Sequence, residues 1–300
     1  MGAASAAITT LPGRPRGRFA PSPTGPLHAG SLLAALGSWL FARRAGGDWL
    51  VRMEDLDPPR EIPGMARRQL EDLCRFGLEP DGPVMFQSTR GPRYSEALAA
   101  LTDSGDAFEC FCTRSDLEAS GGIHRACVAE PSGRQAAWRL RLPARVLVVE
   151  DRIRGTVSQH LAISSGDVVL RRADGPWAYQ LAVVVDDADQ GITEVVRGAD
   201  LLDSTGRQVW LQQRLGLPTP TYAHLPVLRL PDGQKLGKSL GSAPVDPADP
   251  LPALERSWAA LGQAPGAFSG AMPTDRALAW ALGAFDPLRI PSHDRIVPVN

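Results

Sequence analysis

Two short segments, far apart in the sequence, carry residue types that bind phosphate. One is His28-Ala29-Gly30-Ser31, which follows a turn rich in proline and glycine, and the other is Lys235-Leu236-Gly237-Lys238-Ser239. A loop that enters a helix presents unpaired backbone N–H groups and the positive end of the helix dipole to a ligand. A loop with two lysines adds point charges. Together the segments predict the two halves of one ATP site.

Each segment has a plainer interpretation when it is taken alone. His28 is equally explained as a histidine that caps a helix after a turn. The stretch from Lys235 to Ser239, taken alone, is better explained as a basic loop that is only solvated. The functional interpretation therefore depends on both segments serving the same site.

A third cluster is suited to metal. Cys110, Cys112, His124 and Cys127 supply three thiolates and one imidazole, and the two close pairs could hold tetrahedral Zn²⁺ across a loop of 11 residues. Protein ligands would fill all four positions, so the cluster predicts a structural zinc and not a catalytic one. The alternative is three free thiols and a surface histidine. Cys74, in a helical pattern, is predicted to be a small core residue.

The sequence that begins at Arg18 resembles the opening of the glutamyl-tRNA synthetases, a class I family. The family's HIGH motif falls at His28 to Ser31, its KMSKS motif at Lys235 to Ser239, and its R-x-E-D-x-D segment at Arg52 to Asp57. Three matches in the family's order, spread over residues 18–239, are far more specific than any one of them.

Two departures narrow the resemblance to a shortened branch, the glutamyl-Q tRNA(Asp) synthetases. Ser31 replaces the second histidine of the HIGH motif, and 300 residues leave no room for a helical anticodon-binding domain. The branch is understood to activate L-glutamate with ATP and Mg²⁺ without tRNA, and to attach it to queuosine in the anticodon loop of tRNA(Asp). Two alternatives remain: a truncated glutamyl-tRNA synthetase that charges tRNA(Glu), or a non-catalytic, tRNA-binding module of synthetase type.

The resemblance also implies which residues serve the site. Planar arginines suit the two carboxylates of glutamate, and an acid suits its ammonium group. Glu54 would hold that ammonium, although a surface acid at a strand end is the alternative. The implied glutamate residues are Arg18, Ala20, Ser22, Glu54, Tyr179 and Arg197, and the implied catalytic and ATP-binding residues are His28, Gly30, Ser31, Lys235 and Lys238. The cysteine cluster resembles the zinc element of the branch, with His124 in a position that is often tyrosine.

Strand and helix patterns alternate along the first hundred residues. Such alternation predicts a parallel sheet with crossover helices, here the Rossmann-like α/β fold of class I synthetases, with ATP where the strand order reverses. The predicted units are a tail at 1–13, a first catalytic half at 14–106, a strand-rich zinc-binding, acceptor-like insert at 107–165, a second half at 166–240 and a helical region at 241–300. Helices are expected at about 251–261 and 274–284.

Composition limits the remaining possibilities. Lysine plus arginine number 32 against 33 acids, a net charge of −1, so any nucleic-acid surface must be local. The apolar run at residues 27–42 includes His28, two glycines and two serines, and it predicts a buried helix and not a membrane span. We expect a cytoplasmic monomer with a frayed N-terminal tail, the alternative being a transit peptide.

Overall fold

A computed structural model describes residues 13–131, 133–229, 244–268, 270 and 272–296. The predicted lysine segment, Lys235 to Ser239, lies outside these residues, as does the predicted N-terminal tail apart from Gly13.

The first part of the chain alternates between strands and helices as predicted. Strand β1 (Arg16–Phe19), helix α1 (Ala29–Arg44), strand β2 (Asp48–Met53), helix α2 (Met65–Arg75), strand β3 (Met85–Phe86) and helix α3 (Gly91–Asp103) follow in order. The strands pair in parallel in the order β1-β2-β3. Parallel neighbours joined by helices are βαβ units, which is the arrangement that the alternation predicted.

The middle of the chain contributes to two sheets. Its elements are β4 (Ala107–Cys110), β5 (Ala137–Leu140), β6 (Val146–Asp151), β7 (Gly155–His160), α4 (Leu161–Ser164) and β8 (Val168–Arg171). Strands β4, β5 and β8 form a small antiparallel sheet. Because β8 lies beyond residue 165, while β6 and β7 belong to another sheet, the sheets do not follow the predicted boundary of the insert. The predicted division itself stays a prediction.

The rest of the chain adds two strands to the four-stranded sheet that contains β6 and β7, and its last two strands form a separate pair. It contains α5 (Tyr179–Asp189), β9 (Glu194–Gly198), α6 (Leu202–Leu215), β10 (Thr221–Leu225), β11 (Leu228–Arg229), α7 (Pro250–Ala260), α8 (Thr274–Ala284) and β12 (Arg295–Ile296). Strand β10 lies parallel to β9 on one side and to β6 on the other, and β7 closes that edge. The two expected C-terminal helices are confirmed as α7 and α8.

The three-stranded sheet β1-β2-β3 and the four-stranded sheet β7-β6-β10-β9 meet where β1 lies beside β9. Thr193, just before β9, donates its backbone N–H to the Arg16 carbonyl at 3.0 Å, and the Arg16 N–H donates to the Thr193 hydroxyl at 2.9 Å. Strands β2 and β3 follow β1 on one side of this junction, and β10 follows β9 on the other. A ligand crevice is expected at such a reversal of strand order.

Helix α1 is buried around most of its circumference, because it lies between the sheet and α7. Gly37 permits this close packing, since a Cβ at that position would stand 2.5 Å from a methyl carbon of Leu225. The predicted buried helix is therefore confirmed. Among the described residues, no helix is long and apolar enough to cross a membrane.

The prediction for Cys74 was wrong, because its thiol is exposed. The buried face of α2 is formed by Met65, Gln69, Asp72 and Leu73. Their spacings of four, three and one residues place them on one side of the helix. Cys74 is one residue further along and falls outside that face.

Candidate active site

One cavity of about 340 Å³ lies at the carboxyl ends of the central parallel strands. Its wall comes from the loop after β1, the start of α1, the residue after β2, the start of α5 and the end of β9. Every predicted glutamate or ATP residue that the structure describes lines this cavity. They are Arg18, Ala20, Ser22, His28, Gly30, Ser31, Glu54, Tyr179 and Arg197.

His28 caps the N-terminus of α1, as the structural alternative proposed. Its Nδ1 accepts hydrogen bonds from the backbone N–H groups of Gly30 (3.1 Å) and Ser31 (3.3 Å), while the Ser31 hydroxyl accepts from the His28 N–H at 2.7 Å. This reciprocal arrangement is a capping box. It fixes the imidazole at the cavity wall, and it engages two of the amides that the sequence suggested for phosphate.

The loop between β1 and α1 is held by a residue that the sequence did not suggest. The Gln69 side chain on α2 donates one amide hydrogen to the Ser22 carbonyl (3.1 Å) and the other to the Gly25 carbonyl (2.7 Å). Gln69 is almost fully buried, and it too lines the cavity. A polar residue on the buried face of α2 was the only available signal for it.

The chain that follows the predicted lysine segment returns to the same loop. Val245 donates its backbone N–H to the Leu27 carbonyl at 3.1 Å, and Pro244 forms a β-bridge with His28. The described flank of the second predicted half-site is therefore in contact with the first half-site.

Arg18 and Arg52 share one buried carboxylate. Asp187 accepts from Arg18 Nε at 3.1 Å and from Arg52 Nη1 at 2.7 Å, and all three side chains are less than a tenth exposed. Burial opposes the ionisation of Asp187, but the two guanidinium groups outweigh it and hold its pKa below the ordinary value. No sequence feature suggested a role for Asp187.

Glu54 lies inside the cavity, so the alternative of a surface acid is wrong. Its side chain is 12% exposed, and Oε1 lies 3.5 Å from Arg52 Nη2. Burial raises the pKa of Glu54 above its ordinary value, and Arg52 and Arg18 offset only part of that effect. A further positive charge beside Glu54 would favour its ionised form.

Arg197 is a buried cation that contacts neutral acceptors. Within the described part of the chain, no carboxylate lies within ion-pair distance of it. Its five N–H donors reach His224 Nε2 (3.1 Å), the Tyr179 hydroxyl (3.4 Å), Gln208 Oε1 (2.8 Å), the Leu201 carbonyl (3.3 Å) and the Thr205 hydroxyl (2.9 Å). The positive charge at the cavity wall is therefore not directly compensated.

Behind Arg197, His224 and Asp151 form a fully buried pair. His224 Nδ1 lies 2.6 Å from Asp151 Oδ2. Burial lowers the pKa of His224, and Arg197 lowers it further, against the opposing effect of Asp151. Burial also disfavours ionised Asp151, but hydrogen bonds from His224 and from backbone N–H groups outweigh that and lower its pKa. Both directions favour a neutral imidazole beside an ionised carboxylate.

The four predicted metal ligands converge. The ligand atoms of Cys110, Cys112, His124 and Cys127 all lie within 4.8 Å of one another, and His124 Nε2 is 3.3 Å from Cys110 Sγ. Bonds of about 2.3 Å to sulfur and 2.0 Å to nitrogen place tetrahedral ligands roughly 3.6 Å apart, so the set fits Zn²⁺ with little movement. His124 is only 2% exposed, which excludes the surface histidine of the alternative.

A carboxylate behind the cluster orients its histidine. Asp167 Oδ2 lies 3.0 Å from His124 Nδ1, so Nε2 is turned towards the three sulfurs. This carboxylate–histidine pairing is usual behind metal-bound imidazoles, where it fixes the tautomer and the ring orientation. Asp167 is 43 residues from His124, and the sequence alone did not suggest it.

A wider groove of about 1280 Å³ leads from the cavity towards the cysteine cluster. Ala20, Ser22, Glu54, Tyr179 and Leu201 line both spaces. Cys112 and its neighbours line the far end. The cavity is thus open to a large ligand on the side of the small antiparallel sheet.

Comparison with known proteins identifies a family and several close relatives. The sequence model of one family, "tRNA synthetases class I (E and Q), catalytic domain", matches residues 15–247. The chain is 59% identical over 277 residues to a glutamyl-Q tRNA(Asp) synthetase of Xanthomonas campestris, covering 92% of this chain and 93% of the relative. It is 51% identical over 277 residues to the protein of that name in Pseudomonas aeruginosa, covering 92% and 94%.

Two solved structures resemble the fold across most of the chain. One is a glutamate-tRNA synthetase from Elizabethkingia anophelis, with a TM-score of 0.79 and 28% identity, covering 95% of this chain and 68% of that one. The other is a glutamate tRNA ligase from Elizabethkingia meningosepticum in complex with its amino acid, with a TM-score of 0.78 and 28% identity, covering 95% and 67%.

Proposed function

The chain belongs to the glutamyl-Q tRNA(Asp) synthetases, within the class I tRNA synthetases, and we propose that it forms glutamyl-adenylate from L-glutamate and ATP without tRNA. In the proposed second step, it transfers the glutamate to queuosine in the anticodon loop of tRNA(Asp). One observation carries the proposal. A single cavity is lined both by residues predicted to bind glutamate and by residues predicted to bind ATP, although these lie as far apart in the sequence as Arg18 and Arg197.

The charges at the cavity wall support glutamate as the amino acid. Arg197 is a buried cation without a carboxylate partner among the described residues, and burying such a charge is costly until an anion joins it. A substrate carboxylate would replace its two longest contacts, those to Tyr179 and Leu201. Burial raises the pKa of Glu54, and an adjacent α-ammonium group would stabilise its ionised form.

Activation then needs positioning and charge neutralisation. An oxygen of the glutamate α-carboxylate attacks the α-phosphorus of ATP in line, the bond to the bridging oxygen breaks, and pyrophosphate leaves. His28 would act through Nε2, because Nδ1 is used in the cap. Lys235, Lys238, Gly30 and Ser31 are the further residues proposed for the triphosphate, and Mg²⁺ supplies additional positive charge when it accompanies ATP.

The wide groove offers a route for the second substrate. It joins the cavity at Glu54 and Tyr179 and reaches the loop that carries Cys112. A nucleoside in an exposed anticodon loop could approach the adenylate along it. A structural zinc at the cysteine cluster would hold that side of the groove in place.

Glutamate-dependent exchange of labelled pyrophosphate into ATP tests the proposed activation. We expect exchange with glutamate in the absence of tRNA, and none with aspartate or glutamine as controls for the charge and length of the side chain. Exchange that requires tRNA(Glu) would instead identify an ordinary glutamyl-tRNA synthetase. No exchange under either condition would identify a non-catalytic module.

A further inference from the structure

Three side chains form a continuous line across three neighbouring strands. Asp151 ends β6, His224 lies on β10, and Arg197 lies on β9 directly opposite His224 in the strand register. His224 is fully buried and does not line the cavity, whereas Arg197 does. Any effect of His224 on a ligand must therefore pass through Arg197.

The hydrogen inventory of this line permits one arrangement. A carboxylate only accepts, so the 2.6 Å contact with Asp151 Oδ2 requires a hydrogen on His224 Nδ1. The Arg197 Nε–H only donates, so the 3.1 Å contact requires a lone pair on His224 Nε2. The Thr205 hydroxyl, 3.2 Å from the same nitrogen, can donate or accept and is compatible with that assignment. The imidazole is thus neutral, with its hydrogen on Nδ1.

We propose that Asp151 and His224 are positioning residues that hold the Arg197 guanidinium in place for a substrate carboxylate without neutralising its charge. A carboxylate in direct contact would compete with the substrate for that charge, whereas the imidazole supplies an acceptor and keeps Asp151 one ring further away, where its attraction is weaker. Arg18 shows the contrast, because it is paired directly with Asp187. The inference rests on the proposed function in that glutamate is the substrate.

Asp151→Asn tests the line with a change of one atom. Asp151 Oδ1 accepts from the backbone N–H groups of Ile153 (3.0 Å), Arg154 (2.8 Å) and His224 (3.2 Å). These three donors will keep the asparagine carbonyl in that position and turn its NH₂ group towards His224 Nδ1. The imidazole must then accept at Nδ1 and carry its hydrogen on Nε2. That hydrogen can be accepted by the Thr205 hydroxyl, but it opposes the Arg197 Nε–H donor to donor, so Arg197 loses this acceptor, as in the wrong tautomer of a catalytic triad.

The expected kinetic effect is confined to glutamate. In pyrophosphate exchange, Asp151→Asn should raise the KM for glutamate at least about tenfold and leave kcat and the KM for ATP within about threefold, because only the placement of Arg197 changes. His224→Gln keeps a carbonyl acceptor within reach of Arg197, and we expect its KM to lie below that of His224→Leu. Asp81→Asn is the matched control, because Asp81 also accepts from a backbone N–H and an arginine but lies away from the cavity.

Imidazole ¹⁵N NMR is a second measurement, and it requires neither glutamate nor ATP. The chemical shifts should show the hydrogen of His224 on Nδ1 in the wild type and on Nε2 in Asp151→Asn, in protein whose spectrum otherwise reports a folded state. A hydrogen on Nε2 in the wild type would overturn the inference, as would a shift of tautomer that leaves the KM for glutamate unchanged. If the wild type shows no pyrophosphate exchange at all, the proposed function fails. The NMR measurement of the His224 tautomer still tests the hydrogen-bond arrangement of Asp151, His224 and Arg197.

Discussion

Arg18 and Asp187 form a two-bond ion pair beneath the cavity, with 3.1 Å between Nε and Oδ1 and 3.3 Å between Nη2 and Oδ2. The same carboxylate accepts from Arg52, whose side chain is completely buried. One negative charge therefore serves two arginines, and this part of the protein needs Glu54 and Asp187 together to balance its cations. If the proposed function holds, substrate binding and folding stability depend on the same small group of charges.

The first prediction concerns that stability. Asp187→Asn removes the shared counter-charge and leaves two buried guanidinium groups short of an anion, so the free energy of unfolding should fall by about 3–5 kcal/mol. Urea unfolding measures it. Asp174→Asn is the control, because Asp174 pairs with Arg172 at an exposed site and should leave the midpoint essentially unchanged. Equal losses in the two variants would contradict the prediction.

The second prediction separates the two roles of His28. Asparagine is a good N-cap, so His28→Asn should retain the helix start within roughly 0.5 kcal/mol. It lacks the distal ring nitrogen, so glutamate-dependent exchange should fall at least about tenfold, or about 1.4 kcal/mol of transition-state stabilisation. Melting temperature and exchange are measured on the same preparation, with His28→Ala as the variant that should lose both. Wild-type exchange in His28→Asn would leave His28 as a cap alone.

The third prediction is a pH dependence. Glu54 must be ionised to hold an ammonium group, and burial raises its pKa above the ordinary value of 4.5. As the pH falls towards that raised pKa, Glu54 gains a proton and the KM for glutamate should rise. This rise should begin at a higher pH than it would if the pKa of Glu54 had its ordinary value. Glu54→Gln should bind glutamate weakly throughout and lose this acid limb. An unaltered profile in Glu54→Gln would assign the pH dependence to another group.

The fourth prediction concerns the metal. Protein purified without chelator should contain one zinc per chain, and Cys112→Ser should lose it, whereas Cys74→Ser should keep it because Cys74 lies outside the cluster. Asp167→Asn removes the carboxylate that orients His124 and should weaken zinc affinity by roughly 10–100-fold in a competition titration with a chromogenic chelator. Well below one zinc per wild-type chain would contradict the assignment of the cluster.

The sequence was most informative where a pattern is local. Alternating strand and helix patterns predicted β1, α1, β2, α2 and β3, because each depends on neighbouring residues and on turns of proline and glycine. Strand β10, Thr221–Leu225, was not predicted. Its buried face includes Tyr222 and His224, so the apolar pattern that marks a strand is weak there.

Most of the cavity residues could also be predicted, since short motifs carry Arg18, His28 and Glu54. Their supporting partners could not. Asp187 is 169 residues from Arg18 and Asp151 is 73 from His224. A single acidic residue forms no sequence motif with a partner so far away in the chain. The acid and its partner come together only in the folded protein. The supporting charges are thus a property of the tertiary structure.

The central claim is that glutamate is transferred to queuosine on tRNA(Asp). The most direct measurement is the labelling of purified tRNA(Asp), with and without queuosine, by radioactive glutamate in the presence of ATP and Mg²⁺. The account predicts labelling of the queuosine-bearing tRNA(Asp) and none above background for the tRNA that lacks the modified base. Equal labelling of the two, or labelling of tRNA(Glu) in their place, would contradict it.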